Sequence, residues 1–425
     1  MIRIITIAFL LCLTFQSAIS QLNVGVDIRP RAEFRNGFKS LLGTDQDPAF
    51  FIEQRSRLRI NYGAEKFSVK LSLQDVRIWG STPQINKTDG YFSVHEAYGE
   101  YRFNTKWAIR TGRQEISYDN QRLLGALDWA AQGRSHDAIK LTYDSEKKLS
   151  IHLAAAYNQE GNHSAFNNAE GGKLSGTYYS INNYKALTLL HASKSFSEGK
   201  ISFYVINNGM QRDTSQVYFT HTFGPYFTVS AGDINLEGSF FYQTGKDDED
   251  INTNAYLAAL AATYGVVQVG VDVLSGNRPG NDGKRTSFDP LYGTHHAFYG
   301  FMDYFHVGNP HSQPGVGTTG LVDIFAKLKV PVSSSSTFHT HYHYFRSPVQ
   351  LLRNGEDLNR TLGHEIDLML TSKLAPEVNL TLGYSQMFAT EAMEFIKGGN
   401  KDRLNNWAFV MLSFSPTIFS NQEQP

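Results

Sequence analysis

The chain has 425 residues, a length that would suit two or three soluble domains, yet only 19% are charged, 13% are aromatic and 36 are Gly. Mean hydropathy is negative and no run of 18 apolar residues follows the N-terminus, which excludes a helical membrane protein; half-apolar strands broken by frequent turns are instead the composition of a transmembrane β-barrel. The formal charge of −1 is too close to zero to indicate a partner by itself, and no nucleic-acid partner is expected.

The first residues read as a secretory leader. Arg3 is a positive start, residues 4–15 are apolar, and Ala18-Ile19-Ser20 is a small-x-small cleavage site, which predicts a signal peptide over 1–20 and a mature chain, 21–425, that is one barrel domain. Cys12, the single cysteine, lies in the leader without the small residues of a lipoprotein site, so the mature chain is expected to carry neither a disulfide nor a thiolate centre. Losing Arg3 takes the formal charge to −2.

From Leu22 onward apolar and polar positions alternate. Leu22, Val24, Val26, Ile28, Ala32 and Phe34 fall on one face, and Asn23, Asp27, Arg29, Arg31, Glu33 and Arg35 on the other. Ile52, Leu58, Ile60 and Tyr62 then oppose Glu53, Arg55, Arg57, Arg59 and Asn61, and Phe67, Val69, Leu71 and Leu73 oppose Ser68, Lys70, Ser72 and Gln74. Period two means strands. In a membrane the charged face must turn to the lumen, leaving Val24, Val26, Ile28, Leu58, Ile60, Val69, Leu71, Leu380 and Leu382 against lipid. The third strand slips in phase near Asp75 and Arg77, which predicts a bulge.

Short connections near 61–66, 103–106, 144–148, 196–199, 231–234, 264–266, 332–335 and 373–377 alternate with long ones near 36–49, 79–91, 118–133, 158–184, 207–213, 245–252, 275–317, 347–360 and 390–404. Short periplasmic turns and long extracellular loops are the barrel rule, so the fold expected is all-β, a transmembrane antiparallel barrel of about 18 strands with both ends periplasmic. A hairpin at Gly224-Pro225 would make the strand number odd; residues 216–230 are therefore read as one interrupted strand. The apolar, aromatic stretch 407–414 suits a closing strand recognised by the barrel-assembly machinery. Residues 275–317, rich in Gly, Pro and aromatics, are too many for a bare connector and are expected to fold over the mouth or into the pore.

Around residues 112–141, two alternating strands flank a polar excursion containing GRQE at 112–115, DNQRLLG at 119–125, DW at 128–129 and GRSHDAIKL at 133–141. These motifs resemble the alginate export family of outer-membrane barrels. QRSRLRINY, LQDVRIWG, VHEAYGEY, GVDVLSGN at 270–277 and FYGFMDYF at 298–305 extend the resemblance over most of the mature chain, with 158–243 matching least. The resemblance implies a conduit in the outer membrane of a Gram-negative bacterium, surrounded by outer-membrane lipid. From the family's best understood members it also implies passage of alginate, an anionic polysaccharide, through an Arg-rich constriction, with a periplasmic export partner.

The residues suited to that task are Arg29, Arg31, Arg35, Arg55, Arg57, Arg59, Arg77 and Arg110, with Arg113 and Arg134, beside Glu53, Asp75, Glu96 and Glu100. Guanidiniums stay charged and bond carboxylates bidentately, so a ladder of them suits an acidic polymer. The same arginines can equally pair with Asp27, Glu33, Glu53, Asp75, Glu96, Glu100 and Glu115, as in the wall of any plugged barrel; both readings stand.

Three histidines, His339, His341 and His343, share one strand face, opposite Phe338, Tyr342 and Tyr344. Alternate residues stand roughly 7 Å apart, too far for all three to hold one ion, so lumen lining is expected and no metal or cofactor. The acidic run 247–250 lacks the spacing of a calcium loop. Ser135-His136-Asp137 and His95-Glu96 lack a strained GxSxG turn, so no catalytic residue is expected. The function expected is a passive conduit for an anionic polysaccharide; the alternatives are a general diffusion porin and, remotely, an outer-membrane hydrolase. An exporter should narrow to an arginine-lined, loop-plugged constriction, a porin should stay open between opposed charge rings, and a hydrolase should bond a nucleophile to a base.

Overall fold

In the computed structural model the residues described are 20–85, 90–158, 183–211, 216–280, 283–306, 309 and 311–421. The expected leader, apart from Ser20, and most of the 158–184 connection lie outside them. The alternating stretches all become strands: β1 (Gln21–Asn36), β2 (Ala49–Gly63), β3 (Phe67–Ile78), β4 (Phe92–Arg102), β5 (Trp107–Gln114), β6 (His136–Asp144), β7 (Leu149–Tyr157), β8 (Ala186–Phe196), β9 (Gly199–Met210), β10 (Tyr218–Ala231), β11 (Ile234–Lys246), β12 (Asn252–Tyr264) and β13 (Val267–Leu274). A small hairpin, β14 (Ser312–Gln313) with β15 (Gly317–Thr318), precedes β16 (Leu321–Pro331) and β17 (Ser336–Arg346), and a second, β18 (Leu351–Arg353) with β19 (Glu356–Leu358), precedes β20 (Thr361–Ala375), β21 (Val378–Ala389), β22 (Asn405–Phe414) and β23 (Thr417–Ser420).

Apart from the two hairpins, every strand pairs antiparallel with its chain neighbour, and β22 with its continuation β23 closes on β1, giving an 18-stranded barrel. Closure removes free edges, which is what lets strands cross a hydrocarbon layer. The short turns fall at the predicted places, and β10 runs as one strand through Gly224 and Pro225. Its ladder with β9 is continuous while that with β11 skips those two residues, because Pro has no N–H to give. Gly224 has φ +153 and its backbone approaches so closely that a Cβ would stand 1.9 Å from the Phe240 carbonyl.

The outward face is apolar, with Val69, Leu260, Ile324 and Val410 about half exposed. The phase near Asp75 and Arg77 differs from the expectation. Pairing of β2 with β3 runs unbroken past them, and the irregularity sits on β4, where Ser72 faces Glu96 and Leu73 faces Val94. His95 is the extra residue, so both His95 and Glu96 turn inward and are buried. Asp75 and Arg77, opposite Ser56 and Gln54, face out near the long-loop rim and pair with each other at 2.6 Å.

The lumen is filled at one end. Buried apolar lumen residues sit at the long-loop ends of their strands: Ala154, Leu187, Ile206, Phe241, Leu257, Leu274, Phe345, Met387 and Trp407. Against them pack inward loops carrying Leu41, Leu123, Leu124, Phe288, Tyr299, Met302, Tyr304 and Phe305, and the helix Glu391–Lys397 with Met393. The expectation that 275–317 folds over the mouth or into the pore resolves into the pore: Met302 N donates to Glu365 at 2.8 Å and the Tyr304 hydroxyl to the Gly37 carbonyl.

Lipid contact along this face gives a direct test. Ile60→Arg, facing outward opposite Val24, is expected to cost roughly 2 to 4 kcal/mol near the bilayer midplane, read as lost heat-modifiable mobility on folding into lipid; an unchanged barrel would reverse the assignment of faces.

Candidate functional site, a strap across an arginine-lined lumen

Between β5 and β6, residues 115–135 leave the wall, cross the lumen and return. Sequence dictates the crossing, because the loop carries a charged group for each wall it meets. At the far wall Asp119 accepts from His191 Nε2 at 3.2 Å, Ser202 Oγ at 3.0 Å and Tyr204 OH at 2.5 Å, and pairs with Lys200 at 2.6 Å. Asn120 donates to Glu237 at 2.6 Å. Arg122 forks onto Asp272 at 2.9 and 3.1 Å, donates to the Tyr299 hydroxyl oxygen at 2.9 Å, and stacks on Phe298. A buried guanidinium needs this much bonding to be tolerated.

At the near wall the strap meets the ladder. Asp128 accepts from Arg55 at 2.6 Å, Arg29 at 3.3 Å and Arg57 at 3.5 Å. Arg31 donates to the Trp129 carbonyl at 2.8 Å and lies over the Trp129 ring, Arg29 reaches the same carbonyl at 3.2 Å, and Arg57 and Gln74 both donate to the Gln132 carbonyl. Gly133, φ +64, lies so close to Arg57 and His95 that a Cβ would stand 2.7 Å from Arg57 Nη2. Arg134 then donates to the Gly293 carbonyl at 2.9 Å, tying the strap to the 275–320 segment. Spaces beside this assembly include a cavity of about 630 Å³ on the long-loop side, lined by Arg134, Tyr292 and His295 among others, and one of about 230 Å³ lined by Asn120, Arg122, Glu237, Gln268 and Lys327.

The ladder is therefore largely paired. Arg31 holds Glu33 and Glu53 at 2.8 Å, Arg35 holds Glu33 at 2.9 Å, and Arg55 holds Asp27 at 2.8 Å. Arg110 pairs with Glu100 and Lys70 with Glu96. Among the described residues Arg59, toward the turn-side end, reaches only the Val26 carbonyl at 3.5 Å and its buried Nε has no partner. Two arginines expected in the lumen are elsewhere: Arg77 faces out with Asp75, and Arg113 faces out bonded to Asp137 at 3.0 Å, with both side chains substantially exposed. Both pairs sit near the long-loop rim, where outward polar groups meet headgroups and water rather than hydrocarbon. The acidic run 247–250 caps its own turn, Asp247 accepting from Glu249 N and Ile251 N.

Ser135, His136 and Asp137 do not converge, since His136 bonds Tyr184 and Asp137 faces out. A different chain forms instead: Ser135 Oγ lies 3.3 Å from His95 Nδ1, and His95 Nε2 lies 2.9 Å from Glu115. The first contact is long for a hydroxyl, and the buried Glu96 carboxylate accepts Glu115 N beside it, an unfavourable surrounding for a developing oxyanion. Its evident service is to hold the strap's return to the β4 bulge.

Electrostatics reinforce the docking. Burial alone would raise the Asp128 carboxyl, but Arg55, Arg29 and Arg57 outweigh it and hold it below its ordinary value, although the side chain is 60% accessible to the lumen space. At Asp119, 1% accessible, burial is likewise overcome by His191, Lys200 and Tyr204, leaving the carboxyl at about 2. In the 275–320 segment burial drops His295 to about 4 and His311 to about 3, so both imidazoles are neutral.

Taken together, the molecule is an outer-membrane β-barrel whose lumen is crossed and plugged by its own loops. The chain belongs to the alginate export family, whose profile matches residues 20–406. Among solved structures it is similar to three Pseudomonas aeruginosa proteins. OccK9 (OpdG) has 13% identity, TM-score 0.60, and coverage of 93% of this chain and 98% of that one. OpdQ has 13% identity, TM-score 0.58, and coverage of 94% and 98%; OpdK has 9% identity, TM-score 0.59, and coverage of 93% and 98%. No curated protein sequence matches.

The Asp119 anchor makes strap docking pH-dependent. A carboxyl depressed from 3.8 to about 2 contributes roughly 2 kcal/mol, present in full above pH 3.8 and lost as pH falls through about 2. Acid titration of single channels should show conductance rising over that window in the parent, and Asp119→Asn should show the raised conductance already at neutral pH.

Proposed function

We propose that this chain is a channel of the Gram-negative outer membrane that passes an anionic saccharide such as alginate, with the strap as its internal counter-anion. The observation that carries the reading is the arrangement of Arg29, Arg31, Arg35, Arg55, Arg57 and Arg59 on two adjacent strands, with three of them gathered on Asp128. A uronate chain offers the same groups the strap offers, carboxylates and oxygen acceptors, so it can replace Asp128 and the Trp129 and Gln132 carbonyls without leaving a guanidinium unbonded. Arg59, the least bonded rung, stands at the turn-side end, where a polymer arriving from the periplasm meets the ladder first. Lipid surrounds the barrel, the assembly machinery inserts it, and a periplasmic export partner would dock on the short turns.

The second reading, a general diffusion porin, draws on Glu33, Glu53, Asp27 and Glu100, which neutralise much of the ladder. Reversal potentials in planar bilayers across a KCl gradient separate the two. The channel reading expects anion preference, block by oligouronate added on one side, and loss of both in an Arg55→Gln, Arg57→Gln, Arg59→Gln variant. Cation preference in the parent, or current indifferent to oligouronate and to the triple change, leaves the porin.

A further inference from the structure

The lumen wall of β16, β17 and β20 carries a second cluster, separate from the arginines. Across the β17–β20 ladder His341 stands opposite Asp367, and His343 opposite Glu365. One ligand atom from each of His341, His343 and Asp367 lies within 4.8 Å of the other two. His343 and Asp367 are 1% exposed and Glu365 is fully buried. Among the described residues no separate donor or acceptor meets His341 Nδ1, His343 Nε2, Asp367 Oδ1 or Glu365 Oε2, although the Glu365 and Asp367 carboxyl groups lie against each other. Buried polar atoms are bonded as a rule; a proton shared between the Glu365 and Asp367 carboxyl groups can serve their two oxygens, but the two imidazole nitrogens have no such resource, and a positive ion would serve both.

The tautomer of His343 is already arranged for one. Both Asp323 oxygens lie 2.9 Å from His343 Nδ1, which places the ring proton there and leaves the Nε2 lone pair facing Asp367 Oδ2 at 3.8 Å. A carboxylate behind the distal nitrogen is the usual support of a metal-bound imidazole. The other grouping of this composition, His95, Glu96 and Glu115, differs in that its members are taken up by one another, by Lys70 and by Ser135.

We propose that His341, His343 and Asp367 bind a divalent transition metal of the zinc class, with Asp323 orienting His343 and Glu365 available as a fourth donor. Two imidazoles with carboxylate suit zinc, cobalt or nickel rather than calcium or magnesium, which prefer oxygen alone. Bonds of about 2.0 Å require the donors to draw together from their present spacing by roughly an ångström, within the reach of side-chain rotation. Lys327, opposite His341 in the β16–β17 ladder, opposes a cation, but the Asp323 and Asp367 carboxylates on the same wall supply two negative charges against its one. The ion would also pin the plug: Phe301 N donates to Asp367 at 3.4 Å, Met302 N to Glu365 at 2.8 Å, and the Phe301 ring lies 4.9 Å from His341.

The test uses the tag-free mature barrel, folded in detergent and stripped with a chelator. Zn²⁺ is titrated against a chromophoric competitor, and Co²⁺ separately, its visible bands reporting nitrogen and oxygen coordination. One ion per chain is expected, with a raised unfolding temperature. Asp367→Asn or His343→Gln should weaken binding at least about 10-fold, and Asp323→Asn about 10- to 100-fold. His339→Gln, on the same strand face but outside the cluster, should leave it unchanged. No stoichiometric uptake by the folded parent, no cobalt spectrum, or equal uptake by folded Asp367→Asn and parent overturns the site. Should the variants fail to fold, the parent's stoichiometry and cobalt spectrum decide by themselves.

Discussion

Three guanidiniums, those of Arg29, Arg55 and Arg57, converge on the single carboxylate of Asp128, and the interior of the barrel is organised by that contact. Hydrocarbon outside the wall forbids these charges there, so β1 and β2 must present them inward. Inside, a guanidinium removed from bulk water must still be bonded on several N–H groups. The wall alone does not supply enough acceptors: Asp27, Glu33 and Glu53 serve Arg31, Arg35 and Arg55 but leave donors of Arg29 and Arg57 over. The strap supplies the rest, with one carboxylate and a row of backbone carbonyls. Lysine could not replace arginine in this role, since a point charge with three rotatable donors cannot bridge a carboxylate and two carbonyls along a fixed fork.

Once the strap is fixed at that wall, its far end has little freedom. Asp119 and Arg122 reach β8, β9 and β13 with opposite charges and meet opposite charges there. The remaining lumen at the long-loop end is then shaped for apolar filling, and Leu123 and Leu124 of the strap join one buried cluster with Phe288, Tyr299 and Tyr304. The interior is thus two-sided. The wall of β1 to β5 is mainly ionic, and the wall of β6 to β13 sets buried Leu187, Leu189, Ile206 and Leu257 beside the charged groups His191, Lys200 and Asp272 that Asp119 and Arg122 take up. The run of guanidiniums open to an anionic solute lies on the first wall.

Strand positions, their alternation between long and short connections and their number could all be read from the sequence, because lipid on one side enforces period two along the whole length of each strand. That enforcement stops at the rim, which is why Arg77 and Arg113 mislead: an Arg at an outward position near headgroups looks, in one dimension, like an Arg at an inward position after a bulge. The real bulge, at His95, leaves no such mark, since His and Glu side by side fit either face. The histidine row shows the same limit from another direction. His341 and His343 declare a shared face, but their third partner, Asp367, is brought to them only by the β17–β20 register, and a register between strands is not written in either strand alone.

The same separation bears on what the family resemblance signifies. Its most specific motifs, GRQE, DNQRLLG, DW and GRSHDAIKL, fall almost wholly on the strap and its two roots. Gly112, φ +119, lets β5 pass the Ala97 carbonyl where a Cβ would stand at 2.3 Å; Glu115 bonds His95, Asp119 and Arg122 hold the far wall, Asp128 and Trp129 hold the arginines, and Arg134 holds the segment that plugs the pore. These residues specify how the lumen is crossed. A solute would meet instead the guanidiniums that the strap covers and the sparsely bonded Arg59 beyond it. The motifs therefore argue for a shared internal architecture, and the substrate depends on β1 and β2, whose charges must be bonded by the strap when it is in place and by something of like chemistry when it is not.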